Sequence, residues 1–249
     1  MAVGHKLWLR LEANQDGAPK ALAPDVRASR TLARSVLANT TRLLAFRAVG
    51  PNLRVVMACD HRTARSHGRR LKTSIIQRLA TGPLARTVVD PLRDQWHLQN
   101  TFKFVLRNGD PQDPRHEASN LPDLLGLRVL CSRSATNVRC LLPRIKRKDL
   151  LTFLPLESLE PEVWLDDLED CAAAAIGRGN LRGQSQETVA ARSAAVTVVG
   201  RRLTGPELAR LFGVSEVTIK RDRRRAAAPE LVRAIMLQMC LRRRIRPAL

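Results

Sequence analysis

Val49-Gly50-Pro51-Asn52-Leu53-Arg54-Val55-Val56-Met57-Ala58-Cys59 is the stretch whose reading decides the fold. A turn signal, Gly50-Pro51-Asn52, feeds a short apolar run, and Cys59-Asp60-His61 leads on into a long basic segment. Short apolar runs bounded by Gly and Pro read as buried strands. Leu43–Val49 lies just before the turn and supplies the first arm of a hairpin. Arg62–Ala80 reads as a helix: Leu71, Ile75, Ile76 and Leu79 make an apolar stripe, while Arg65, Arg69, Arg70 and Lys72 occupy the other faces.

Outward from this hairpin, His5–Glu12 alternates Leu7, Leu9 and Leu11 with mixed neighbours, the period of a strand, and Asn14-Gln15-Asp16-Gly17 ends it. Val26–Thr41 has helical spacing in Val26, Leu32, Val36 and Leu37. Leu84–Val89 is expected to be a further strand, and Asp94–Arg107 a helix. The order is strand, helix, strand, strand, helix, strand, helix. Its first six elements fit an α+β domain of ferredoxin-like split βαβ type, one antiparallel sheet with helices on one face.

Two short motifs carry a family resemblance. Val49-Gly50-Pro51-Asn52-Leu53-Arg54-Val55-Val56 resembles the metal-binding strand of the REP-associated tyrosine transposases, single-strand DNA transposases of the HUH class. That strand carries two histidines, which hold a divalent metal, and Asn52 and Arg54 stand in their frame. Alternate strand residues share a face, so the pair points at one site. Arginine, however, has no lone pair to give a metal. Trp96–Asn108 resembles the helix carrying the nucleophilic tyrosine of that family; Phe104 takes the tyrosine position, with Lys103 before it and Asn108 at the end. The resemblance covers about His5–Arg128 and implies a ferredoxin-like core whose catalytic groups have been replaced.

Composition points the same way. The chain of 249 residues contains no tyrosine, so no phenol is present to form a phosphotyrosine bond. Lys and Arg number 43 against 23 acidic residues, for a net charge of +20. A charge of this size favours polyanionic partners, nucleic acid first. No apolar run approaches the ~20 residues of a spanning helix, and Met1–Arg10 lacks the apolar core of a signal peptide, so a cytoplasmic protein without membrane contact is expected, which the resemblance implies to be bacterial and nucleoid-associated. Five cysteines without a CxxC pair are expected to be reduced and mostly buried.

Leu203–Asp222 is the most specific local signal. Thr204 caps a helix with Pro206 and Glu207 in its first turn, Ala209 suits a close helix crossing, Gly213 makes a tight turn, and Ser215 caps a second helix. Val214 and Ile219 close the small core. The segment resembles the helix-turn-helix of extracytoplasmic-function sigma factors. In such a unit the second helix enters the major groove, giving Ser215, Glu216, Lys220, Arg221, Arg224 and Arg225 as candidate DNA contacts. A helical hairpin that only packs internally is the bland alternative, but Lys220–Arg225 is positive everywhere except Asp222.

The remaining stretches are less specific. Asn108–Leu125, with Gly109-Asp110-Pro111-Gln112-Asp113-Pro114 at its start, is expected to be a loop or the irregular excursion usual in the resembled family, and Leu127–Cys131 and Val138–Leu142 read as short strands or extended segments. Leu154–Asp170 is an acidic island including Glu157, Glu160 and Glu162, and Cys171–Gln184 is expected to be a linker. Glu187–Val199 and Pro229–Arg244 read as helices, the latter running into a basic tail at Arg242–Arg246. Trp8, Trp96 and Trp164 are expected in the core, with stacking on a base as the alternative for Trp96. Cys59, His61 and His67 are a conceivable metal set; the simpler reading leaves them structural, and no metal or cofactor is assigned.

The reading is thus an α+β transposase-like domain over 1–130, a connector over 131–185 and a helix-turn-helix domain over 186–249. The expected function is DNA binding without catalysis, in regulation or targeting. Duplex DNA would meet the helix-turn-helix, and hairpin or single-stranded DNA the first domain, with homodimerisation as a candidate. Arg54, Arg69, Arg70 and Lys103 are candidate phosphate contacts. Two alternatives stand beside it: an active nickase with an unorthodox nucleophile, and an RNA-binding sheet, for which aromatics at 3% are a poor endowment.

Overall fold

The Gly50-Pro51 turn joins two strands, β2 (Leu43–Val49) and β3 (Asn52–Met57), paired antiparallel with Val49 opposite Asn52. Gly50 sits at φ +52°, the left-handed region in which a side chain is strained. The computed structural model describes residues 4–12, 21–107, 113–130, 132–156, 165–242 and 244–245. Expectations for Asn14–Gly17, Asn108, Gly109–Gln112, Cys131, Glu157, Glu160, Glu162, Trp164, Arg243 and Arg246 lie outside these residues. Two compact units divide the chain: Met1–Leu125 with Cys131–Leu154, and Gly126–Leu130 with Pro155–Arg246.

In the first unit β1 (Gly4–Arg10) pairs with both β3 and β4 (Val88–Leu92), giving a four-stranded antiparallel sheet in the order β2-β3-β1-β4. Helices α1 (Val26–Asn39) and α2 (His61–Leu79) pack on one face. Strand alternation puts Leu7, Leu9, Leu53, Val55 and Met57 there, in one buried cluster with Leu32 and Val36 of α1 and Leu71 and Ile75 of α2. Both helices start on a capping aspartate: Asp25 accepts from the Ala28 amide at 2.7 Å, and Asp60 from the Thr63 amide at 2.8 Å. Helix α3 (Gln95–Arg107) lies on the opposite face, against β2 and β3. The two helices among the first six elements thus share one face, as expected, and α3, the seventh element, covers the other.

The two sheet edges differ. The Asn120 carboxamide accepts from the Phe46 amide and donates to the Leu44 carbonyl, both at 2.9 Å, and so pairs the outer edge of β2. Helices α4 (Leu121–Leu125), α5 (Ser132–Leu141) and α6 (Arg147–Leu151) complete the unit, so the expected loop Asn108–Leu125 ends as a short helix with Leu121 and Leu125 buried, and Asn137 of α5 donates to the Leu43 carbonyl at 3.2 Å. Strand β4 forms the other edge and is largely open. It lies later than the expected Leu84–Val89, because Leu84 makes only an isolated bridge to Leu11 while Pro91 is accommodated in the strand. An edge strand tolerates proline, since the missing N–H can face outward.

The second unit is helical: one 3₁₀ turn (Leu165–Asp167), then α7 (Leu168–Ala175), α8 (Gln186–Val199), α9 (Gly205–Phe212), α10 (Glu216–Arg223) and α11 (Pro229–Arg242). Cys171 and Ala172–Ala175 are fully buried among Ala191, Ala194, Ala195, Phe212, Ile219 and Ile235. The expected linker therefore begins as a core helix, whose alanines let neighbouring helices approach closely. Val138–Leu142 is likewise helical in most of its length rather than extended, and Leu127–Leu130 forms no strand. Of the described cysteines, Cys171 is buried, Cys140 is exposed, and Cys59 and Cys240 lie between; all four are free thiols.

Candidate nucleic-acid interface

Asn52 and Arg54 alternate on β3, so both side chains face α3. On that face Arg54 is flanked by two aromatic rings. Its guanidinium carbon lies 4.8 Å from the ring centre of Trp8, its cross-strand partner on β1, and 5.0 Å from that of Phe104 on α3. Cation–π attraction of this kind is worth about 0.5–2 kcal/mol, depending on desolvation. Nε and Nη1 of Arg54 are shielded from solvent, and neither has a hydrogen-bond partner. Burial accordingly pulls the guanidinium below its ordinary pKa. Phe104 is 48% exposed, Trp8 is half-buried, and Trp96 farther along α3 is 75% exposed, so neither Trp8 nor Trp96 is the core residue expected.

This donor set does not fit a divalent metal. Arginine cannot coordinate one, and an asparagine carbonyl alone is a weak ligand. Cys59, His61 and His67 do not gather either. His67 is buried, with its Nε2 2.9 Å from the Thr41 hydroxyl and its Nδ1 2.8 Å from the Asn39 carbonyl. Among the described residues no cluster of three or more His, Cys, Asp or Glu is placed to hold a metal.

The four candidate phosphate contacts do not form one site. Arg54 and Lys103 belong to β3 and α3. Arg69 and Arg70 are exposed on α2, which packs on the other sheet face, and an Arg70 Nη2 lies 2.9 Å from His67. The alternation of the sheet separates the two pairs.

In the second unit, the Thr204 hydroxyl receives the Glu207 amide, and the Glu207 carboxylate receives the Thr204 amide at 2.7 Å, a reciprocal cap on α9 that also lowers the Glu207 pKa. Gly213, at φ +60°, turns the chain, and Ser215 caps α10 through the Thr218 amide at 3.3 Å. Ile219 and Asp222 face inward; Glu216, Val217, Lys220, Arg221, Arg224 and Arg225 are exposed. Arg223 is tied by its guanidinium to the Leu203 carbonyl at 2.9 Å, which removes it from that outward group. Val217, 65% exposed amid the cations, was not singled out by the sequence and offers an apolar contact of the kind a thymine methyl accepts.

Pattern reading also misses the buried charges. Arg192 of α8 pairs with Asp222 at 2.8 Å and donates from Nη1 to the Leu181 and Gly183 carbonyls, both at 2.8 Å. In the first unit Arg30 makes a two-point pair with Glu117 at 3.2 and 2.8 Å. Arg47 donates to the Leu106 carbonyl at 3.0 Å and lies 2.7 Å from Nδ1 of His116. The side-chain partners are 30 to 87 residues apart, and no local period signals such pairs.

Compared with known protein families, curated proteins and solved structures, the chain matches none.

Proposed function

We propose that this protein binds DNA without cutting it, as a catalytically inactive relative of single-strand transposases joined to a helix-turn-helix. The observation that carries DNA binding is the outer face of α10. Lys220 and Arg221 stand exposed on a helix, with Arg224 exposed at its C-cap, and the inner face is held by Ile219 and the buried Arg192–Asp222 pair. A rigid helix with cations on its free face suits a major groove, with arginine able to read guanine and lysine holding phosphate.

The inactive-transposase reading draws its support from Arg54 and Phe104. The resemblance aligns them with a metal ligand and the nucleophile, groups that must meet at one phosphodiester, and the two side chains are in contact although 50 positions apart in the chain. The strand order β2-β3-β1-β4 supports the ferredoxin-like assignment. Here a guanidinium and an aromatic ring take the place of metal and phenol, which suits holding a phosphodiester and not cleaving it. The RNA-sheet reading is less favoured, because α3 packs against the face where bases would stack.

The test is a binding assay with labelled duplex, hairpin and single-stranded DNA, with and without magnesium or manganese, resolved on native and denaturing gels. Retarded DNA with intact strands and no covalent adduct is expected, with duplex affinity falling at least tenfold in Lys220→Gln/Arg221→Gln. A metal-dependent nick or a protein–DNA adduct overturns the inactive reading. Undiminished duplex binding in the variant overturns the assignment of α10.

A further inference from the structure

The outer face of α2 and the open edge of the sheet enclose a second charged surface, on the opposite side of the sheet from Arg54. Two clefts of about 450 and 400 Å³ share His61 and Arg65; Arg62 and Arg69 line the first, and Arg86 and Thr87 the second. One wall is therefore a helix face with arginines at i, i+3 and i+7, and the other is the segment entering β4. Among the described residues no carboxylate lies within ion-pair distance of Arg62, Arg65, Arg69 or Arg86. Helix α2 itself contains no Asp or Glu. The carboxylates that flank the groove in the chain are engaged elsewhere: Asp60 accepts from the Thr63 amide and hydroxyl, and Asp90 pairs with Lys6 on the far face.

Like charges at these helical spacings destabilise a helix unless a counter-charge is present. Nothing among the described residues of the unit supplies one. Gly68 makes the arrangement compact: a Cβ there would lie 2.9 Å from both Leu7 and Thr87, so its absence lets the segment before β4 sit close against α2.

We infer that the α2–β4 groove is a binding site for the DNA phosphodiester backbone, additional to α10. This rests on the reading of DNA as the ligand. Four arginines spread along a trough fit a repeating phosphate chain better than a single compact anion. The ring of His61 and the hydroxyls of Ser66 and Thr87 add hydrogen-bonding capacity. The site reads charge and spacing, not sequence, so it contributes a salt-sensitive affinity common to all DNA.

The experiment uses the full chain and fluorescence anisotropy with a labelled 20-base-pair duplex between about 50 and 200 mM salt, the range over which phosphate binding is most visible. Wild type is compared with Arg65→Gln/Arg69→Gln/Arg86→Gln and with Lys220→Gln/Arg221→Gln, folding being checked by circular dichroism. The groove variant is expected to bind about tenfold more weakly at low salt, with the slope of log K against log salt shallower by about 2–3, close to 0.9 for each phosphate that is no longer neutralised. The loss should recur when the groove substitutions are added to the α10 variant. A single variant, Arg69→Gln, provides the milder case should the triple variant misfold, with a slope shallower by about 1. An unchanged slope in a folded groove variant, beside a weakened α10 variant, overturns this proposal and leaves the reading of α10 standing. A wild type that binds no DNA overturns both. Loss of binding to phosphatidylserine vesicles with DNA binding intact assigns the groove to a lipid surface and also overturns it.

Discussion

Nε of Arg192 donates to Oδ2 of Asp222 at 2.8 Å with both side chains almost wholly buried, pinning α10 to α8. Removing one member of a buried ion pair strands the other charge and costs about 3–5 kcal/mol. Asp222→Ala is therefore expected to lower stability by that amount, measured by urea unfolding together with amide exchange in α8 and α10. High salt should not mimic the effect, because buried pairs are poorly screened. Arg192→Met/Asp222→Leu, which removes both charges, should recover much of the loss. A cost below about 1 kcal/mol for Asp222→Ala would mean that the pair does not hold the helix.

Arg54 sets a contest between two energies. Its two buried, unpartnered nitrogens each cost about 1–3 kcal/mol of lost hydration, while stacking on Trp8 and Phe104 returns about 0.5–2 kcal/mol per ring. Arg54→Met keeps the bulk and discards the charge, so it should leave stability unchanged or raise it by up to ~1 kcal/mol. Single-stranded DNA affinity should fall several-fold in the same variant. Destabilisation by more than ~2 kcal/mol with unaltered binding would make Arg54 a purely structural residue.

How far these features were legible in the sequence depends on their range. The β2–β3 hairpin, α2 and the α9–α10 pair follow from local signals: Gly50 at a positive φ, a capping Asp60, the reciprocal Thr204–Glu207 bonds. The position of β4 did not follow, because a proline argues against a strand until the strand is known to be an edge. Helix α7 was hidden for a similar reason. Its alanine run is equally at home in a linker, and only the surrounding helices bury it. Among the candidate phosphate contacts, separating Arg54 from Arg69 needed knowledge of which sheet face each element covers. The contact of Arg54 with Trp8 is fixed by register alone.

His116 and Asp113 make opposite contributions to acid stability. Burial and the Arg47 cation hold the His116 pKa well below its usual value, so the fold favours the neutral ring. That contribution is intact above pH ~6.5, the unfolded value, and fades as pH falls below it. Burial pushes the Asp113 carboxyl up to about 6, so the fold favours its protonated form; its contribution is full below pH ~3.9 and fades as pH rises through about 6. The neighbouring Arg30–Glu117 pair remains common to wild type and variant. His116→Asn suits the positive φ of +56° and removes the first term. The difference in unfolding free energy between wild type and variant should shrink as pH drops from 7 to 5. A difference independent of pH in that range would show that His116 does not titrate with unfolding.

Gly68 decides the sign of a common stabilising change. Replacing a glycine inside a helix with alanine ordinarily gains about 1 kcal/mol. At this position the new methyl would lie 2.9 Å from the Leu7 Cδ1 and the Thr87 Cγ2. Leu7 is fully buried between sheet and helix and cannot swing away, so overpacking of about 1–3 kcal/mol opposes the gain. Gly68→Ala should therefore be neutral or destabilising by up to ~2 kcal/mol, whereas Thr73→Ala on the exposed face of α2 should stabilise by up to ~0.5 kcal/mol. Pushing Thr87 outward also widens the trough between Arg65 and Arg86, and duplex affinity at low salt should drop with it. Stabilisation of Gly68→Ala by a full 1 kcal/mol would show that α2 is free to shift away from β1, and that the close approach does not shape the groove.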